Sequence, residues 1–221
     1  MRYPKIAATF ALLAVATVAC ANAPGGSGDG GIDHPRGADQ VVLRLSNEGG
    51  FVPIDYHLTQ FPAFTLYGDG RIVLPGAQIE LYPGPALPAV SQRTVTEEGI
   101  QTILQAALDA GLGSGDLDLS DFGNTIIADA STTVFTLAAR GQTSRVSVYA
   151  LFELPDQPSG MSDEEFEARQ SLSDLAERLT ALEQWLPEGS IAPEETFEPA
   201  GYRLFVGPYR PDEQLPQEPV A

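Results

Sequence analysis

A single cysteine, Cys20, is the feature that most limits how this chain can fold. Without a second thiol there is no intrachain disulfide, so a folded domain must be held together by its apolar core alone. The chain has 221 residues, enough for one such domain at the usual ~100–200 residues. Its core must then be sought in the hydrophobic periodicity.

That periodicity alternates between two strands and one helix at a time. Val41 to Ser46 alternates, is β-branched and stops at Asn47-Glu48-Gly49-Gly50, which predicts a strand and a turn. Phe64 to Leu74 predicts a hairpin around Gly68-Asp69-Gly70, because Gly supplies the positive φ that a tight turn needs and Asp69 is a turn residue. Ile79 to Tyr82 is a further strand candidate, and Pro83, Pro85 and Pro88 then impose an extended crossing. A helix is expected from Thr96-Glu97-Glu98, with Ile100, Ile103, Leu104, Ala107 and Leu108 on one face and Gly111 as its stop. Gly113 to Asn124 reads as a polar loop.

Thr132 to Leu151 predicts a second hairpin turning near Arg140-Gly141-Gln142. A second helix is expected over Ser162 to Trp185, opened by the capping box Ser162-Asp163-Glu164-Glu165 and ended by Pro187. Its leucines 172, 175, 179, 182 and 186 form one stripe, too short for a coiled coil and suited to packing on a sheet. Strand, hairpin, helix, hairpin, helix is an α+β order: a mostly antiparallel sheet built from hairpins, with two helices packed on one face. The expected single domain covers residues 40–187. Residues 188–221 form a Pro/Glu-rich C-terminal segment with a short strand candidate at Tyr202 to Val206.

The N-terminus reads as an export signal. Arg2 and Lys5 precede an apolar run, Ile6 to Val18, and a small residue, Ala19, stands before Cys20. The run is shorter than the ~20 residues needed to span a bilayer. A cysteine after a small residue at such a site resembles the lipobox of bacterial lipoproteins. Thr17 stands where that family prefers Leu, Val18 is tolerated and Ala19 fits the pattern. The resemblance implies removal of residues 1–19, a lipid on the Cys20 thiol, and a protein held at the outer face of the cytoplasmic membrane by that lipid. Ordinary secretion, with cleavage after Ala21 or Ala23, stays open as the alternative. Residues 20–39 then read as the lipidated cysteine and a flexible tether, with six glycines and two prolines between Ala21 and Asp39. Such a coil reaches roughly 25 Å.

The segments FTLYGDGRIV and ADASTTVFTLAARGQTSRVSVYAL resemble a group of actinobacterial-type lipoproteins that carry a lipobox, a short tether and these two motifs in the same order. The resemblance covers about Val41 to Leu186. It implies location and continuity of the fold, and it carries no activity and no site residue.

Net charge narrows the partners. The chain has 12 Lys+Arg against 30 Asp+Glu, and Arg2 and Lys5 leave with the signal, so every cation of the mature chain is an arginine. Nucleic acid is excluded as an expected partner, since binding it needs a basic surface to displace counterions. Anionic lipid headgroups repel such a domain as well. A GC-rich coding sequence accounts for the missing lysine. A strongly anionic surface also suits high salt, which screens its repulsion.

Patterns for chemistry are sparse. His34 falls in the expected tether, which leaves His57 as the one candidate for a triad, and no G-x-S-x-G surrounds any serine. His57 reads as a rim histidine. Too few histidines and cysteines exist for a usual zinc site. Asp116, Asp118 and Asp121 alternate as in a calcium loop, but Asp121 stands where an EF-hand has Gly, and Ile127 where it has the bidentate Glu. A solvated acidic loop is the expected reading, with no cofactor. Asp129, just before a strand, can pair with Arg145 or bond the Ser131 or Thr132 amide. Tyr67, Tyr149, Tyr202, Phe205 and Tyr209 are candidate contact aromatics, most of them expected to be ordinary sheet residues. Two functions remain as expectations: a non-enzymatic binding or envelope-associated module with a protein or cell-wall partner, or an envelope hydrolase using a carboxylate pair that includes Asp129 or Asp121.

Overall fold

The computed structural model describes residues 30–52, 59–78, 87–120, 127–153 and 156–203. The fold is α+β, as the periodicity predicts. Its eight strands are β1 (Val41–Gly49), β2 (Phe64–Tyr67), β3 (Arg71–Pro75), β4 (Val90–Thr94), β5 (Leu117–Leu119), β6 (Ser131–Ala139), β7 (Gln142–Tyr149) and β8 (Glu195–Thr196). Among the described residues two complete helices join them, α1 (Glu97–Asp109) and α2 (Asp163–Thr180). The strands form one sheet in the order β5-β7-β6-β1-β2-β3-β4-β8. Every pair is antiparallel except β5 with β7.

The sheet order explains the helices. β4 lies near one edge and β5 is the other edge, so α1 carries the chain across the sheet. α2 returns it from β7 to β8. Both helices cross the same face. Leu43 and Leu45, Phe135 and Leu137, and Val146 and Val148 alternate along their strands, and they share one buried cluster with Ile103 and Leu104 of α1 and Leu172 and Leu179 of α2.

The local signals act as expected at the caps and turns. The Thr96 hydroxyl accepts from Gly99 N at 3.3 Å, and Ser162 Oγ accepts from Glu165 N at 3.2 Å. Arg140 and Gly141 both have positive φ (54° and 73°), the two-residue turn whose twist matches a hairpin. At the β2–β3 turn Gly70 has φ 86°, and Asp69 Oδ1 accepts from Arg71 N at 3.1 Å.

Several boundaries move. The folded unit begins at Gly31, inside the expected tether. Ile32 packs on the core and His34 is 4% exposed. Asp33 O accepts from Arg140 N at 2.7 Å, and Ala38 O accepts from the Arg71 guanidinium at 2.9 Å. Apart from Ile32, backbone and side-chain hydrogen bonds hold this segment, and those are invisible to a hydrophobicity pattern. The fold also runs past residue 187. Ala192 N donates to Thr94 O at 2.8 Å, Phe197 N donates to Val90 O at 3.0 Å, and β8 adds the last strand. The expected strand at Tyr202 to Val206 is not seen at Tyr202 and Arg203, and its other residues lie outside the described ones. The same holds for the strand candidate Ile79 to Tyr82.

Besides β8, two more strands were not among the expected ones, although the Asp-Leu alternation at residues 116–119 also suits a strand edge. β4, with the sequence VSQRT, has polar residues on both faces and gains its place by pairing with β3 along its whole length. β5 lies in the predicted polar loop and pairs in parallel with Val146 to Val148. The second helix is shorter than its leucine stripe. It leaves helical geometry at Ala181 (φ −128°), and a 3-10 turn, Leu182–Gln184, keeps Leu182 and Leu186 in the core. Trp185 Nε1 donates to Arg178 O at 2.8 Å, closing the end of α2, and the Arg178 guanidinium lies 4.1 Å over the indole ring.

Candidate functional site

The two ends of the sheet differ in chemistry. At the end where the chain enters, residues 31–38 lie against the β2–β3 and β6–β7 turns and the start of α1. His34 Nε2 is 3.2 Å from Glu97 Oε1, and Arg36 donates to the other oxygen of the same carboxylate. Gln101 clasps the backbone of Ile32, accepting from its N at 2.6 Å and donating to its O at 2.9 Å. Gln101 also donates to Glu97 Oε1 at 2.8 Å. Burial alone raises the Glu97 pKa. The hydrogen bonds from Gln101 and His34 and the charges of His34 and Arg36 outweigh it, leaving the carboxyl below its ordinary 4.5. Every group here has a partner within the domain, so this cluster is a structural latch.

The opposite end is apolar and open. Phe51 is 86% exposed, Phe61 44% and Phe152 56%, and Val52 joins them. Phe51 follows the end of β1, Phe61 precedes β2 and Phe152 follows β7. Gly50 lies beside Asp129 and Ser131, and Ser131 O accepts from Ala150 N at 2.9 Å, which gathers these segments at one end of the sheet. A groove of about 350 Å³ opens there between Ser46, Asn47, Glu48 and Gly49 on one wall and Gln60, Phe61 and Pro62 on the other. The strand register explains it. β1 pairs with β6 along its length to Gly49, but with β2 only as far as Leu45 opposite Phe64. Beyond that point the chain before β2 diverges, and Pro62 has no N–H to offer a ladder.

Arg169 marks the other polar feature. It is 4% exposed, and its guanidinium donates to Tyr149 O at 2.9 Å and to Leu119 O. It ties α2 to the ends of β7 and β5. Burial pushes its pKa below the ordinary value, and Glu165, 3.7 Å away, partly offsets this. A smaller polar depression of about 310 Å³, lined by Leu151, Phe166, Gln170, Ser173 and Asp174, lies over it.

The residues singled out from the sequence fall in scattered places. Cys20, His57, Asp121, Phe205 and Tyr209 lie outside the described residues. Asp116 Oδ1 accepts from Arg145 N at 2.8 Å, and Asp118 accepts from the Ser120 hydroxyl. The predicted acidic loop is thus in part a strand edge. Among the described residues no group of three His, Cys, Asp or Glu is placed to hold a metal ion. Asp129 is not inward: it is exposed in a turn with φ 68°. Its expected partner Arg145 instead pairs with Glu48 at 2.8 Å. A short polar side chain tolerates that left-handed conformation, which is the reason for an acid at this turn.

Tyr67 lies half-buried under the Arg71 guanidinium, 4.7 Å from its ring centre, and Tyr149 donates to Ile127 O. These two are sheet residues, whereas Tyr202 is exposed. The phenylalanines at positions 51, 61 and 152 were not foreseen. The one available signal was proximity to turn-forming residues: Phe51 follows Gly49-Gly50, and Phe61 precedes Pro62.

No family model, curated protein or solved structure matches this chain.

Proposed function

We propose that this chain is a lipid-anchored protein of the cell surface whose domain is a non-enzymatic binding module. The observation that carries this reading is the trio Phe51, Phe61 and Phe152, left exposed together at the end of the sheet remote from Gly31. Exposing large aromatic side chains lowers solubility, and large apolar groups left exposed at one end of a fold mark interaction surfaces. The placement suits an anchor at Cys20. Residues 31–38 join the domain at the latch of His34 and Glu97, at the end of the sheet away from these aromatics. The acidic surface, with 30 Asp+Glu in the chain, disfavours docking on anionic headgroups and points to a protein or wall component as the partner.

The test has two arms in the native host. Metabolic labelling with a clickable fatty acid is expected to tag the wild type and not Cys20→Ser; equal labelling of both overturns the anchor. Capture from the cell envelope is then compared between the wild type and a Phe51→Ser/Phe152→Ser variant with an unchanged melting temperature. Loss of the captured partner in the variant supports the aromatic end as the binding surface. Undiminished capture overturns that assignment.

A further inference from the structure

The groove beside β1 is a place where a sheet lacks a strand. Ser46 to Glu48 keep strand geometry because β6 holds them on one side, with Ser46 opposite Val134, while Gly49, opposite Ser131, has φ 71° and turns the chain out of the strand. On their other side the ladder to β2 ends at Leu45, and among the described residues no backbone hydrogen bond crosses from Ser46–Gly49 to Gln60–Pro62. Alternate residues of an antiparallel strand aim their N–H and C=O groups at each neighbour, so part of this stretch turns main-chain groups toward the groove that have no strand partner among the described residues. The far wall cannot complete the ladder itself, since Pro62 lacks a donor.

We propose that this groove accepts an extended, net-cationic segment of a partner protein, which adds as a short strand along Ser46 to Gly49. Only another extended backbone matches a row of main-chain donors and acceptors at strand spacing, and this is the physics of recognition by strand addition. Side chains of such a segment alternate. Successive side chains then fall on opposite faces of the sheet, and Phe61 in the groove lining favours apolar residues on one of them. The cationic character follows from the charge of the host, with 30 Asp+Glu against 12 Lys+Arg; Glu48 in the groove wall is itself paired with Arg145. This inference rests on the binding-module reading and adds to it the class of partner.

The experiment uses the chain from residue 20 onward with Cys20→Ser, uniformly ¹⁵N-labelled. Three short blocked peptides serve as probes: alternating Val and Arg, the same peptide N-methylated at alternate amides, and alternating Val and Glu. The Val/Arg peptide is expected to shift the amide signals of Ser46, Asn47, Glu48, Gly49 and Phe61, with the rest of the sheet unmoved. N-methylation removes the main-chain donors of one edge and is expected to weaken binding by at least about tenfold. The Val/Glu peptide is expected not to bind. Equal binding of the N-methylated peptide, shifts spread over the acidic surface, or no binding overturns strand addition. A peptide-free dimer in sedimentation that involves these same amides assigns the groove to a second copy and also overturns it. If strand addition fails while envelope capture still depends on Phe51 and Phe152, the binding-module reading stands without it.

Discussion

His34 Nε2 lies 3.2 Å from Glu97 Oε1, so the segment that leads into the domain is bound to the first turn of α1. The imidazole is buried, and its other nitrogen, Nδ1, donates to Pro35 O at 2.7 Å. The carboxylate is shared with Arg36 and Gln101. It also sits at the helix N-terminus, where negative charge is favoured.

This relationship makes the entry segment acid-sensitive. The folded pKa of Glu97 is below its ordinary value of 4.5, so its contribution is present above that value and is lost as pH falls through the folded pKa. Hydrogen exchange at the Ile32 amide, which donates to Gln101, is expected to lose protection in that acid window before the sheet does. Glu97→Gln is expected to remove this pH dependence. An Ile32 amide that stays protected until global unfolding contradicts the latch.

Arg169 joins α2 to two strand ends through buried carbonyls. Arg169→Met keeps the apolar stem and leaves Tyr149 O and Leu119 O without the guanidinium, at an expected cost of about 2–4 kcal/mol in urea unfolding. Glu165→Gln leaves the buried guanidinium beside a neutral amide in place of the carboxylate 3.7 Å away and is expected to cost about 1–2 kcal/mol, less than Arg169→Met. Equal effects would mean that the ion pair, and not the carbonyl contacts, holds the helix.

The glycines of the turns separate strain from crowding. Gly70 has φ 86°, and a Cβ there would overlap Val95 O, so Gly70→Ala combines a left-handed penalty of about 1–3 kcal/mol with a clash against backbone. Gly141 has φ 73° with nothing within 4 Å, so Gly141→Ala is expected to carry only a backbone cost of about 1 kcal/mol. Thermal melts of the two variants should keep that order.

Asp116 is bonded to the backbone of β7, so its charge matters less than its oxygen. Asp116→Asn retains an acceptor for Arg145 N and is expected to change stability by less than about 0.5 kcal/mol, while Asp116→Ala is expected to cost about 1 kcal/mol. Calcium added to the wild type should not separate the two variants further. A calcium-dependent rise in melting temperature lost in both would restore the metal reading.

What the sequence alone determined are the features with a local physical cause. The α+β class, the β2–β3 and β6–β7 hairpins, and the caps at Thr96 and Ser162 follow from alternation, from glycines at positive φ, and from hydroxyls that meet free amides within a few residues. The acidity, the lone cysteine and the export pattern are likewise written in the residue string. Only the tertiary structure decided where the domain begins and ends. Residues 31–38 are ordered by Gln101, Glu97 and Arg140, distant in sequence, and β4, β5 and β8 exist because a neighbouring strand completes their hydrogen bonds. The same is true of the candidate site. Exposure of Phe51 and Phe61, and the stretch from Ser46 that lies beyond the β2 ladder, arise from where β2 stops pairing with β1. Register across strands is a non-local quantity, and no local pattern in the chain encodes it.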